Sequence, residues 1–284
     1  MDQWKGTDTA GCYTPVMVRI LKFALLIAVT GSAIAGVLLI APIPQDIAHH
    51  YFFDQRSMYG IPNFWNVVSN LSYLLVGLSG FYLLSSYPKN VYLKQNRLFY
   101  VMYSLALCLV ASGSSYYHLH PTNNTLLWER LPMTLAFMSF FCIVLADYIS
   151  HRLAIIALFP LIALAIASVI YWHQTETTGA DDLRYYALTQ FLPMLLVALI
   201  LLMFNQERSH SHLIWIMLTG YVLAKIFEMY DHEIYEYLGV VSGHTIKHVI
   251  AALSAYMLIS RGEKVAIIKQ ALHRQYSKDS DRVI

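Results

Sequence analysis

Five side chains that could together carry out metal-assisted hydrolysis stand near the ends of long apolar segments in this sequence. Ser114 and His118 are four residues apart, and His244 and His248 repeat that spacing. On a helix each pair shares one face, one turn apart. Glu129 follows His118 by eleven residues and stands just before another apolar segment. Three imidazoles, one hydroxyl and one carboxylate thus form a candidate metal site with a catalytic carboxylate.

The residue types predict the chemistry of this site. Neutral imidazole suits zinc, and a catalytic zinc keeps three protein ligands, here His118, His244 and His248. Zinc lowers the pKa of a bound water to ~7. Glu129 is then placed to accept the proton of that water and deliver it to a leaving amine. Ser114 could donate a hydrogen bond to the developing oxyanion. We therefore expect hydrolysis of an amide, in preference to an ester.

Composition identifies the environment in which these residues must work. The 284-residue chain is 57% hydrophobic and 13% charged, whereas a soluble domain has about 25% charged residues. We therefore expect an integral membrane protein of the all-α class. The net charge of +2 and the absence of a basic patch in the sequence do not suggest a nucleic-acid partner, and no segment indicates a protein partner.

The apolar segments predict eight membrane spans, since one span needs ~20 apolar residues. They are Val16–Ile40, Phe64–Ser85, Leu98–Tyr117, Leu127–Ile149, Leu153–Tyr171, Tyr185–Phe204, Leu213–Tyr230 and Val241–Ile259. We divide the chain into an N-terminal tail with an extra span (residues 1–41), a seven-helix membrane domain (42–260) and a basic tail (261–284). A cleaved signal peptide is the alternative for the first span, because Ser32 to Ala35 is a small-residue pattern; the long polar lead favours a retained anchor.

Basic residues fall in alternate loops, which orients the predicted bundle. Arg19 and Lys22 flank the first span, and the other basic positions on this side are Lys89, Lys94, Arg97, Arg152, Arg208 and the C-terminal tail. The intervening loops are acidic or neutral. Both termini are therefore predicted to be cytoplasmic. His118, Glu129 and the His244–His248 pair then converge on the non-cytoplasmic half of the membrane.

Further polar residues within the spans call for partners, because polar groups are costly there. Asn66 and Asn70, with Asn63 and Ser69, lie largely on one helical side. They are expected to bond neighbouring helices or to support the metal ligands. Lys247, beside the histidines, is a further candidate for supporting the ligands, and it is expected to meet a carboxylate or to extend towards the membrane surface. Lys225 and Glu228 are expected to pair. Seven further histidines are interpreted as loop or interface residues: His49, His50, His120, His173, His210, His212 and His232.

Taken together these motifs resemble the alkaline ceramidases, within a superfamily of seven-span membrane hydrolases that includes the progestin and adiponectin receptors. The resemblance rests on the Gly113–His118 segment, on Glu129 to Met133 and on the His244–His248 pair, with support from Asn63 to Asn70. It covers about residues 54–260, so the first span would be an addition to a seven-helix transmembrane hydrolase bundle.

The resemblance implies a zinc-dependent amidase that releases a fatty acid from ceramide or a ceramide-like membrane lipid. It implies zinc ligation by His118, His244 and His248, oxyanion stabilisation by Ser114 and proton transfer by Glu129, where the family carries Asp. The family also has a calcium site before its first span. Only Asp54 and Asn63 occupy comparable positions here, so calcium is not predicted.

Two other classes of protein compete with an amidase. A receptor-like member of the superfamily would bind lipid and use zinc structurally. Against this, Glu129 beside an open zinc position favours catalysis. A haem protein or a transporter would use the histidines differently. His244 and His248 on one face cannot be the two opposite axial ligands of one haem, and the paired broken helices typical of transporters are not seen in the sequence.

Overall fold

Helices follow the apolar segments of the chain in a computed structural model that describes residues 15–204 and 210–280. A 3-10 turn at Ile47–His50 precedes the second helix. The helices are α1 (Pro15–Leu39), α2 (Phe64–Val68), α3 (Leu71–Ser86), α4 (Val91–Leu119), α5 (Asn123–Tyr148), α6 (His151–Thr177), α7 (Arg184–Phe204), α8 (Ser211–Met229), α9 (Asp231–Leu238) and α10 (Gly243–Ser280). The described residues contain no β-strand, which confirms the all-α class.

In the described part of the chain, seven helical segments are long and apolar enough to cross a membrane. They are Val16–Leu39, Phe64–Ser86, Val91–Leu119, Asn123–Tyr148, His151–Thr177, Arg184–Phe204 and Ser211–Met229. These correspond to the first seven predicted spans and confirm a multi-pass membrane bundle. The eighth predicted span, Val241–Ile259, coincides with the first half of α10 but is not among them. The polar side chains of His244, Lys247 and His248 reduce its hydropathy.

The last helix continues well beyond its predicted end at Ile259. It runs to Ser280, so the proposed boundary at residue 260 is not a helix end. Arg261, assigned to the basic tail, is buried and forms an ion pair with Asp147 of α5 at 2.6 Å. Ala266 is also buried. Part of the predicted tail therefore packs as a helix, which the basic composition alone did not indicate.

The chain divides into two compact units, Met1–Ile40 and Ala41–Ile284. The division falls beside the boundary predicted at residue 41. The first unit contains α1, whose retention as an anchor stays a prediction. The second unit contains all the predicted site residues. Of the positions used to orient the bundle, Arg208 lies outside the described residues, as do residues 1–14 and 281–284.

Polar side chains cap the N-terminal ends of α4 and α5, two of the helices that carry predicted site residues. Asn90 accepts a hydrogen bond from the amide of Leu93 at the start of α4. Thr122 and Thr125 form a reciprocal capping box at the start of α5. Such caps satisfy amides that have no partner within the helix. They are needed most where the chain enters lipid, because an unsatisfied backbone group is costly there.

The packing of α4 brings the ends of distant helices together. Helix α4 contacts α3, α5, α2 and α10, and α10 also contacts α8, α3 and α2. The predicted site residues lie at the C-terminal end of α4 and at the N-terminal ends of α5 and α10. These ends belong to one side of the bundle, as the predicted topology requires. Segments more than a hundred residues apart in sequence thus share one region.

The span predicted from Phe64 is interrupted rather than continuous. Helix α2 ends at Val68 and α3 begins at Leu71. Between them, the Ser69 hydroxyl donates to the carbonyl of Asn66 at 3.1 Å, and the Asn70 amide donates to the same carbonyl at 2.8 Å. Side chains that bond nearby backbone groups compete with regular helix. The break places Ser69 where its side chain can face α10.

Candidate metal centre

Three histidines from two helices form a compact buried cluster. His118 lies at the end of α4, and His244 and His248 lie one turn apart at the start of α10. All three are at least 95% buried. Each pair of ring centroids is 4.9 Å apart. One nitrogen from each ring can be chosen so that all three lie within 4.8 Å of one another. The predicted ligands are therefore brought together.

The geometry of the imidazole nitrogens fits a single ion. The Nε2 atoms of His118 and His244 face each other at 3.4 Å. Nitrogens bound tetrahedrally to zinc at ~2.0–2.1 Å stand roughly 3.3 Å apart. Among the residues described, His248 Nε2 is buried and has no hydrogen-bond partner. A buried polar atom normally has a partner. The three residues could thus together hold one metal ion that accepts nitrogen ligands.

Ser69 holds the third imidazole in place. Its hydroxyl lies 2.8 Å from Nδ1 of His248, which leaves Nε2 as the nitrogen available to a metal. Partners on the second ring nitrogen orient a ligand histidine and set its tautomer. Asn63, Asn66, Ser69, Asn70 and Lys247 were the predicted supporting residues, and of these Ser69 forms a side-chain hydrogen bond with an imidazole of the cluster.

Replacement of Ser69 by alanine is expected to weaken zinc binding by about 10- to 100-fold, because loss of a partner on a ligand histidine costs that much affinity. Competition with a fluorescent zinc chelator would measure the dissociation constant. Ser79→Ala is a matched control, since the Ser79 hydroxyl bonds only the backbone carbonyl of Val76 within α3. Equal affinities of the two variants would show that Ser69 does not support the site.

Asp231 anchors the start of the helix that carries two ligands. Its carboxylate accepts a hydrogen bond from the backbone amide of His244 at 2.6 Å and from that of Phe53 at 3.2 Å. A carboxylate at a helix N-terminus satisfies free amides and interacts favourably with the helix dipole. Asp231 therefore fixes His244 relative to the segment that precedes α2. The sequence showed Asp231 only as a loop acid.

The two asparagines named as supporting residues act on the backbone and on neighbours of the ligands. Asn66 accepts a hydrogen bond from the hydroxyl of Thr245 at 2.8 Å, next to His244. Asn70 donates to the carbonyl of Asn66. Asn63 donates to the carbonyl of His118 at 2.8 Å. The polar face of the second span therefore ties α2 to both ligand-bearing helices.

Ser114 and Glu129 are brought side by side by a close approach of α4 and α5. A Cβ at Gly113 would overlap the carbonyl oxygen of Trp128, so glycine is required where the two backbones meet. The Ser114 hydroxyl lies beside the Glu129 carboxylate. Within the described chain, Ser114 Oγ and Glu129 Oε2 are buried and make no hydrogen bond of normal geometry.

One cavity of about 180 Å³ connects the candidate catalytic pair to the histidine cluster. Ser114, Glu129 and His248 all line it, and apolar side chains such as Leu107 and Phe140 form much of the remaining wall. An apolar cavity of ~150 Å³ is enough to bind benzene. The space beside Glu129 can therefore hold part of an organic ligand.

Lys247 contacts a carboxylate rather than the imidazoles on either side of it. Its ammonium group forms an ion pair with Glu228 of α8 at 2.7 Å, and Lys225 pairs with the other oxygen of Glu228 at 2.7 Å. The predicted Lys225–Glu228 pair is thus present as part of a triad. All three residues line the cavity. Lys247 links α10 to α8 and adds charge beside the ligands.

Two residues of the segment before α2 belong to this region although their sequence context did not indicate it. Phe52 is buried, and its ring packs 4.6 Å from that of His118 and 4.8 Å from that of His244. His49, interpreted as a loop residue, lines the cavity. Burial lowers the pKa of His49 to about 3, with Lys247 adding to the effect, so that its ring is neutral.

The two positions considered for calcium are engaged by other protein groups. Both carboxylate oxygens of Asp54 accept hydrogen bonds from Arg56, at 2.8 and 2.7 Å. The side-chain amide of Asn63 donates a hydrogen bond to the backbone carbonyl of His118. Arg56 is therefore the cation that neutralises Asp54.

Comparison with protein-family models and with curated proteins finds no match for this chain.

Proposed function

We propose that the protein is a zinc-dependent membrane amidase that hydrolyses the N-acyl bond of ceramide or a ceramide-like lipid. The observation that carries the proposal is the buried cluster of His118, His244 and His248, of which His248 opens onto the same cavity as Glu129 and Ser114. The resemblance of these motifs to the alkaline ceramidases supports the substrate class. A receptor-like lipid-binding role with structural zinc is the alternative.

The side chains of this cavity suit the steps of amide hydrolysis. When bound to three imidazoles, zinc supplies Lewis-acid activation of water at neutral pH. Glu129 accepts a proton from the attacking water and donates it to the leaving nitrogen, which converts the amide into a carboxylic acid and an amine. The Ser114 hydroxyl donates a hydrogen bond to the substrate carbonyl oxygen as negative charge develops on it. Phe52 covers the rings of His118 and His244 and keeps bulk water from them.

The position of the cavity among apolar helices supports a lipid substrate. Its wall includes side chains of α4, α5, α7, α8 and α10. Much of this wall is apolar, as is typical of pockets that bind a ligand with a few converging polar groups. An acyl chain could enter from the bilayer with its amide next to Glu129. The polar end and the apolar wall match an amphipathic amide.

The distribution of basic residues leads us to propose that both termini are cytoplasmic, with the site in the non-cytoplasmic half of the membrane. The predicted topology places the helix ends that carry His118, Glu129 and His244 on that side, and these residues do lie in one region. Substrate would accordingly be drawn from the non-cytoplasmic leaflet.

Removal and restoration of metal tests the proposal on the purified protein. We expect about one zinc per chain by elemental analysis, and release of fatty acid from a short-chain fluorescent ceramide. Prolonged chelation should abolish hydrolysis, and zinc should restore it while magnesium should not, because magnesium prefers oxygen ligands. Zinc without turnover of any lipid amide would favour the receptor-like role. Absence of zinc from the folded protein would contradict the proposal.

A further inference from the structure

The cavity that holds the candidate catalytic pair has more positive than negative side chains. Among the described residues that line it, Lys225, Lys247 and Arg130 are cationic, and Glu228 and Glu129 are anionic. Charged groups inside a membrane protein are costly unless they are paired. The charged side chains of the wall therefore sum to one net positive charge, even before a bound divalent metal is counted.

The first source of the imbalance is the triad between α8 and α10. One carboxylate oxygen of Glu228 accepts a hydrogen bond from the ammonium group of Lys225, and the other accepts one from Lys247, each at 2.7 Å. Both oxygens of the one carboxylate are thus occupied by two ammonium groups. Each ammonium group has three N–H donors, so donors remain for a ligand. The triad carries a net positive charge and can accept one anion.

The second source is Arg130, the residue after Glu129. Its side chain is buried and lies between the rings of Trp172 and Tyr186, 4.0 and 4.6 Å from their centroids. One guanidinium nitrogen donates to the neutral side-chain amide of Gln45. In the described part of the chain Nη1 of Arg130 has no hydrogen-bond partner, and Arg130 forms no ion pair with a carboxylate. A guanidinium group held this way is well suited to bind a carboxylate or a phosphate.

The effect of these cations reaches the segment before α2. Besides burial, Lys247, Arg130 and Lys225 each lower the pKa of His49, and only Glu228 opposes them. His49 lies outside the spanning segments and lines the same cavity. The three cations and His49 therefore line one common space, and the cations come from three different helices, α5, α8 and α10. An anionic group placed there would meet donors from more than one helix.

We infer that the lipid bound in this cavity carries an anionic group on its amine portion, a carboxylate or a phosphate, recognised by Lys225, Lys247 and Arg130. The inference rests on the proposed function, since it narrows the substrate from ceramide-like amides in general to anionic ones. The acyl chain occupies the apolar wall, the amide lies at Glu129, and the anion supplies the missing negative charge. Hydrolysis then releases a fatty acid and an amine that keeps the anionic group.

Matched substrate pairs test this specificity. N-palmitoylserine and N-palmitoylserinol differ only in that a carboxylate replaces a hydroxymethyl group, and ceramide 1-phosphate and ceramide differ in a phosphate. In at least one pair we expect the anionic member to have a kcat/KM at least about tenfold higher, because a hydrogen bond to a charged group contributes more than a neutral one. The pair that shows the preference identifies carboxylate or phosphate as the recognised group.

Lys225→Met is the informative variant. It leaves the Glu228–Lys247 pair intact and removes the excess positive charge, so the preference for the anionic substrate should fall to about twofold or less. Arg130→Gln should also reduce it. Lys264→Met is the control, since Lys264 is exposed on α10 and lies outside the cavity wall. Equal kcat/KM values for both members of both pairs in the wild type, or a preference that survives both cavity variants, would overturn the inference.

A binding measurement separates this inference from the proposed function. Ketone isosteres of the two serine-derived amides, with a methylene group in place of the amide N–H, cannot be hydrolysed. The wild type should bind the anionic isostere at least about tenfold more tightly than the neutral one, and Lys225→Met should lose the difference. Such binding without hydrolysis of any amide would sink the amidase proposal and keep the anion site. Equal binding of the two isosteres, together with equal binding of ceramide 1-phosphate and ceramide, would remove the anion site whatever the activity.

Discussion

His244→Ala should leave the purified protein with less than about a tenth of a zinc ion per chain and lower kcat/KM for a ceramide-like amide by a factor of at least about 10³. Two imidazoles cannot provide the three protein ligands of a catalytic zinc, and water loses the activation on which hydrolysis depends. Elemental analysis and the release of a fluorescent fatty acid measure the two effects. His118→Ala and His248→Ala should behave in the same way, and a double variant should be little worse than a single one, because residues that act as a unit are not additive.

The control must remove an imidazole without touching the cluster. His212→Ala serves, because His212 is exposed near the start of α8 and its ring lies beside that of His210. It should keep both zinc and activity. Thermal unfolding in detergent distinguishes loss of metal from loss of fold in the ligand variants. A folded His244→Ala protein that retained zinc and turnover would contradict the assignment of this residue as a ligand.

Local spacing explains why much of the site could be predicted from the sequence. A four-residue interval puts His244 and His248 on one face of any helix, and an isolated imidazole pair within an apolar segment points to a metal. The alternation of basic loops then placed His118 and Glu129 at the same end of the bundle. The structure brings these residues to one region, so periodicity and charge together were sufficient for the main arrangement.

The contacts that support the ligands could not be read in this way, because they join residues far apart in the chain. Ser69 and His248 are 179 residues apart, and no local pattern distinguishes Ser69 from its polar neighbours. Phe52 lies in an irregular segment and His49 in a four-residue 3-10 turn, and both are too short to show a periodic pattern. In the continuation of α10, Arg261 contacts Asp147, which is 114 residues away in sequence. In each case tertiary packing decided the outcome.

The same packing explains how a glycine sets the position of the candidate catalytic pair, Ser114 and Glu129. Gly113 allows the backbones of α4 and α5 to meet at Trp128. This contact puts Ser114, the next residue of α4, beside Glu129, which follows Trp128 in α5. The motif from Gly113 to His118 therefore contains a glycine that helix packing requires and two candidate site residues, Ser114 and His118. His118 lies one turn beyond Ser114 on α4 and is a candidate metal ligand.

Glu129→Gln should retain zinc at the wild-type level and lower kcat by about 10²- to 10⁴-fold, the contribution usual for a positioned general acid–base. The amide is nearly isosteric with the carboxylate but cannot accept and return a proton at the attacking water and the leaving nitrogen. Single-turnover measurements with a fluorescent ceramide-like amide, together with zinc analysis of the same sample, separate this effect from loss of metal.

Glu129→Asp provides the matched comparison, because it keeps the carboxylate and shortens the side chain by one methylene. It should recover a substantial part of the activity that Glu129→Gln loses.

Ser114→Ala should lower kcat by about 10²- to 10³-fold, as does removal of one oxyanion donor in other hydrolases. Since Ser114 and Glu129 lie side by side, their combined loss should be less than the product of the single effects. Wild-type turnover by the glutamine variant would eliminate Glu129 as the proton carrier and leave the three histidines as a metal site without an assigned acid–base.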